Sequence, residues 1–68
     1  MAYCRADGVC KVYMYRGSGG YVFHVPQKPS FSVRTPEEAL KKLQGLKAAG
    51  MGIPEYAIER LKTEIRAG

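Results

Sequence analysis

Thr35-Pro36-Glu37-Glu38 divides this chain of 68 residues into two chemically different halves. Thr35 is suited to cap a helix with its hydroxyl, and Pro36 fits the first helical position, where a missing N–H costs nothing. Glu38 stands where a capping-box carboxylate reaches back to the cap N–H. Ahead of this stretch the chain is rich in aromatic and β-branched residues with Gly-marked turns. Beyond it come two amphipathic helical patterns.

Working towards the C-terminus, Ala39, Leu40, Leu43 and Leu46 form an apolar stripe at helical spacing, which predicts a helix over residues 36–49. Gly45 inside it costs about 1 kcal/mol against Ala and suggests close packing on a sheet. Gly50-Met51-Gly52 ends the helix and Pro54 starts a second one, whose stripe is Ala57, Ile58, Leu61 and Ile65. Glu37, Glu38, Glu55, Glu59 and Glu64 read as helix-surface and capping residues, with Glu38 and Lys42 a favourable i,i+4 pair.

Working towards the N-terminus, Phe31 and Val33 alternate with Ser32 and Arg34 in a short last strand. Pro26 and Pro29 break the ladder before it. A strand over residues 21–25 places Tyr21, Phe23 and Val25 on one face and Val22 and His24 on the other. Residues 11–16 form the strand before, with Val12 and Met14 on one side and Lys11, Tyr13 and Tyr15 on the other. Gly17-Ser18-Gly19-Gly20 joins these two strands. It lacks the Lys-Ser/Thr ending and following helix of a phosphate loop, so it reads as a hairpin connection. Asp7-Gly8 predicts a two-residue type I′ turn, with Ala6 opposite Val9, Arg5 opposite Cys10 and Cys4 opposite Lys11. In that register Cys4 and Cys10 point to opposite sides of the sheet, which disfavours a disulfide between them.

The fold class that follows is α+β: an antiparallel meander of three or four strands with two C-terminal helices on one face, in one domain over residues 1–68. Residues 1–35 make the sheet half and residues 36–68 the two-helix half. So short a chain has a single core worth about 3–5 kcal/mol and little room for an enclosed active site. No run of about 18 apolar residues and no secretory signal pattern occurs, so the expectation is a cytoplasmic protein with free thiols at Cys4 and Cys10 and no membrane contact. Two cysteines and one histidine fall short of a zinc site unless shared across a dimer. His24 has no nucleophile or carboxylate partner beside it, and no paired catalytic carboxylates are present, so neither catalysis nor a cofactor is expected.

The charge divides where the structure divides. Residues 1–36 carry Arg5, Lys11, Arg16, Lys28 and Arg34 against Asp7, five minus one or +4, while residues 37–68 carry six basic and five acidic side chains, or +1. Helices on one sheet face leave the other open, with Lys11, Tyr13, Tyr15, His24, Ser32 and Arg34 on it. Together with Arg16, the basic, aromatic and histidine residues of this group are the candidate binding residues. Rings interleaved with cations suit RNA or single strands, a DNA major groove, or a protein partner; a solvated face is the alternative.

Gly19-Gly20-Tyr21-Val22-Phe23-His24-Val25-Pro26, followed by Ser32-Val33-Arg34-Thr35-Pro36-Glu37-Glu38-Ala39-Leu40 and later Gly52-Ile53-Pro54, resembles the N-terminal domain of HicB-type antitoxins over about half the chain. That resemblance implies a cut-down ribonuclease H fold and an inhibitor that masks a basic toxin. The chain differs in lacking the acidic Asp-Leu-Pro-Gly stretch and in being basic. The strand order with Glu37-Glu38-Ala39 opening a helix also looks like integrase arm-binding and plant ethylene-response DNA-binding domains, whose sheets enter the major groove. Small size alone is shared with phage inhibitors such as anti-CRISPR proteins. The expectation is therefore a regulatory or inhibitory binding protein of the nucleic-acid machinery, antitoxin-like or of phage or mobile-element type. Its partner is a protein of nucleic-acid metabolism or, alternatively, DNA or RNA itself, with a homodimer open.

Overall fold

The computed structural model describes residues 2–67. Strands β1 (Ala2–Cys4), β2 (Tyr13–Gly17), β3 (Gly20–His24) and β4 (Phe31–Val33) form one antiparallel sheet in the order β1-β2-β3-β4. Helices α1 (Pro36–Ala48) and α2 (Glu55–Ala67) follow. They pack on each other and cover one face, α1 against β4 and α2 against β1. The α+β meander expected from the sequence is the observed fold.

Alternation decides which side chains enter the core. Met14, Tyr21, Phe23 and Val33 face the helices and are buried, and Val12 and Val25 continue those rows beyond the strand ends. Ala39 and Leu43 of α1 and Ala57, Ile58 and Leu61 of α2 meet them, with Leu40 and Leu46 packed at the margin. Thr35 caps α1 in extended backbone, its Oγ1 accepting from the Glu38 amide at 3.2 Å. The Glu38 carboxylate in turn accepts from the Thr35 hydroxyl at 3.2 Å. Between the helices, Gly52 has φ +72, and a Cβ built there would stand 2.0 Å from the Val9 carbonyl oxygen. The linker thus lies directly on the loop of residues 5–12, where the Lys11 amide donates to the Met51 carbonyl at 2.9 Å.

Gly17 and Gly20 pair across the β2–β3 hairpin, leaving Ser18 and Gly19 as a two-residue turn. The first hairpin differs from expectation. The Asp7 carboxylate turns back to accept from the amides of Val9 at 3.1 Å and Cys10 at 2.8 Å, while the Asp7 amide donates to the Cys10 carbonyl at 3.1 Å. Asp7 and Cys10 therefore flank the turn, and Gly8 and Val9 occupy it. Cys4 lies opposite Met14 rather than Lys11, an offset of three residues along β2. An odd offset moves a side chain to the other face. Cys4 and Cys10 consequently share the core face, and both thiols donate to the Val12 carbonyl, at 3.5 and 3.2 Å. Both are free. The register is also irregular between Ala2 and Cys4, and such a bulge lets the successive side chains of Tyr3 and Cys4 both turn inward.

Gly45 departs from expectation as well. A Cβ there would meet nothing within 4 Å, so it marks open space rather than close packing.

Candidate interaction face of the sheet

Both helices lie on one side, so the opposite sheet face has no covering layer among the described residues. Its centre is a three-ring cluster. Tyr13 on β2 pairs directly with His24 on β3, and their rings stack at 5.8 Å between centroids with an 18° interplanar angle. Tyr15, two residues on, reaches the same imidazole at 5.6 Å and 19°, and lies 5.2 Å from Tyr13. Side chains at i and i+2 share a face, and a diagonal cross-strand neighbour is within reach of an aromatic ring. The imidazole is oriented by a 2.6 Å hydrogen bond between its Nδ1 and Ser30 Oγ in the β3–β4 loop. Val22 lies opposite both Tyr15 and Ser32, continuing the face towards β4. Tyr13 is 39% exposed, and Tyr15 and Val22 are half-buried by their neighbours.

The cations are less concentrated than the sequence implies. Lys11 precedes β2 and is tethered through its amide to the helix linker. Arg34 follows β4 beside Gly20, at the far end of β3 from His24, about 13 Å of strand away. The two charges thus bracket the rings from opposite ends. Arg16 is on the other face. It pairs with Tyr21, and its guanidinium stands 5.8 Å from that ring's centroid.

Sequence reasoning missed the cluster that Arg16 joins. Glu64 on α2 accepts hydrogen bonds from two phenols, Tyr21 at 2.9 Å on one oxygen and Tyr3 on the other. The two rings meet edge to face at 5.7 Å, and the Arg60 guanidinium lies 4.5 Å from the Tyr3 centroid. Burial, then the Glu64 hydrogen bond and charge, raise both tyrosines above the ordinary phenol value. Glu64 is therefore a tie between helix and sheet rather than a surface residue. The available signal was Arg60 and Glu64 at i,i+4 on α2; the tyrosine partners of Glu64 are 43 and 61 residues away from it in sequence.

Burial first, then the adjacent Cys10 thiol, push the Cys4 thiol up to about 12, which leaves it protonated and a poor nucleophile. Among the described residues no three His, Cys, Asp or Glu side chains gather into a metal-binding group, and no helix is long and apolar enough to cross a membrane. No family model, curated protein or solved structure matches this chain at a significant level.

Proposed function

We propose that this is a non-catalytic regulatory or inhibitory protein that binds a protein of the nucleic-acid machinery through its open sheet face. The observation that carries this reading is the Tyr13–Tyr15–His24 cluster on the uncovered face, with Arg16 turned away from it. Tyrosines held in place by neighbours offer large contact area at little entropic cost, which is why they recur as hot spots at protein interfaces. Lys11 and Arg34 then act as a polar rim. The class of partner rests on the resemblance to HicB-type antitoxin domains and on the basic charge, and antitoxin-like or phage inhibitors are the models for it.

Direct binding of DNA or RNA is the second reading, favoured by the exposed Tyr13 ring between two cations. Counting Lys11 and Arg34 alone, two neutralised phosphates give a log–log salt slope of about −1.4 to −1.8, at roughly 0.7–0.9 per phosphate.

Affinity capture from a host lysate with mass-spectrometric identification tests the first reading. Wild type is expected to retain a nucleic-acid enzyme that Tyr13→Ala and Tyr15→Ala lose. Fluorescence anisotropy with RNA and DNA oligomers at two salt concentrations tests the second. Tight oligomer binding that falls with Tyr13→Ala overturns the protein-partner reading in favour of stacking on bases.

A further inference from the structure

On the helix-bearing side, α1 and the β3–β4 loop enclose a cleft of about 600 Å3. Its floor is Val25, Phe31 and Leu46, and Lys28, Lys41 and Lys42 stand around it. Among the described residues none of these three ammonium groups pairs with a carboxylate. Glu38, the one acid lining the cleft, is engaged with Thr35. Concave apolar surface edged by convergent charge is the usual make-up of a binding site.

Two features argue that the cleft is maintained against the ordinary preferences of the chain. Gly45 sits inside α1 on the cleft wall, needs no positive φ, and has nothing within 4 Å of where its Cβ would be. Glycine disfavours a helix interior, and neither packing nor backbone geometry demands it here. What its small size provides is open cleft. Gln27 has φ 62, unusual for a residue with a side chain, in a turn closed by the Lys28 amide donating to the Val25 carbonyl at 3.3 Å. Pro26 at the second position and positive φ at the third are the type II turn pattern. That turn places Lys28 at the cleft edge.

We infer that this cleft is a docking site for an acidic segment of a protein partner, which inserts an apolar side chain between its carboxylates. The three lysines select the acidic charge. The state of Phe31 argues against a nucleobase in its place. One neighbour, Phe23, stacks on this ring at 4.9 Å and 5°, and the Lys42 ammonium lies 5.7 Å from its centroid. Both contacts compete with a stacked base, whereas an aliphatic or aromatic side chain needs only Val25, Leu46 and the ring edge. The site is separate from the Tyr13–Tyr15–His24 face and does not depend on its function.

The test is an in vitro display selection of random 12-residue peptides on the immobilised full chain. Enriched peptides are expected to carry excess Asp and Glu around Leu, Ile, Met or Phe. Their binding is expected to fall at least tenfold with Gly45→Leu, which fills the cleft, and with the double reversal Lys41→Glu, Lys42→Glu, and to persist with Tyr13→Ala. Gly45→Leu is expected to raise the thermal midpoint, so that lost binding cannot be lost fold. Exchanging the peptide's Glu for Lys is expected to restore binding to the double reversal. No enrichment, enrichment without acidic excess, binding indifferent to Gly45→Leu, or displacement of the peptide by oligo-dT would each overturn the inference; the last would assign the cleft to nucleic acid.

Discussion

The Tyr21 hydroxyl donates to Glu64 Oε1 at 2.9 Å, joining β3 to α2 across 43 residues of sequence. Tyr3 of β1 donates to the second oxygen of the same carboxylate. One helix side chain thereby fastens two strands that are not neighbours in the sheet. Hydrogen bonds to a charged acceptor are worth about 1.5–3 kcal/mol, reduced where water can replace them. Glu64→Ala is therefore expected to cost about 2 kcal/mol and Glu64→Gln less, read as a fall in the urea midpoint. Equal midpoints for wild type and Glu64→Ala would show the tie to be energetically idle.

The same cluster predicts loss of stability in alkali. Tyr3 and Tyr21 have folded pKa values raised by burial and then by Glu64. A raised pKa means the folded state favours the protonated phenol. The contribution is therefore complete below the ordinary tyrosine value of about 10 and declines as pH rises through the folded values. Of five tyrosines, Tyr3 and Tyr21 are expected to ionise late, together with unfolding, in a titration followed by tyrosinate absorbance. The double variant Tyr3→Phe, Tyr21→Phe is expected to show a shallower alkaline loss.

Thr35→Ala removes the oxygen that accepts from the Glu38 amide and is expected to cost about 1 kcal/mol. In a domain this small the thermal midpoint should drop by several degrees.

Glycine-to-alanine substitution is expected to act with opposite signs at two sites. Gly45→Ala should stabilise by about 1 kcal/mol, since a helix interior gains and nothing is displaced. Gly52→Ala should destabilise by about 2 kcal/mol or more, because φ is +72 and the new Cβ falls 2.0 Å from the Val9 carbonyl oxygen. Chemical denaturation of both variants checks the pair.

Cys4 and Cys10 are 1% and 4% exposed, and the Cys4 thiol is pushed up to about 12 by burial and its neighbour. Iodoacetamide at pH 8 is expected to label neither quickly in the native protein and both in denaturant, by intact mass. Rapid native labelling would mean that the loop of residues 5–12 opens readily.

Much of this molecule follows from local sequence. Thr35, Pro36 and Glu38 act within one helical turn, so the start of α1 needs no distant partner to be read. Strict alternation in β2 and β3 assigns Tyr13, Tyr15 and His24 to one face and Met14, Tyr21 and Phe23 to the other, and the structure keeps both assignments. Alternation also puts Arg16 on the Met14 side, which charge alone had placed with the tyrosines.

Tertiary structure decided the rest, because those features depend on which distant groups meet. Asp7-Gly8 marks a turn, but the Asp7 carboxylate's choice of the Val9 and Cys10 amides moved it by one residue. With the irregularity of β1, that brought Cys4 and Cys10 to one face. Glu64 looks like any exposed helix acid until α2 is laid over β1 and β3. Gly45 reads as close packing until the helix is seen to leave a cleft beside it. Periodicity assigns a side chain to a face because the backbone repeat is local; it cannot say what lies across from that face, since this is set by the packing of elements far apart in the chain.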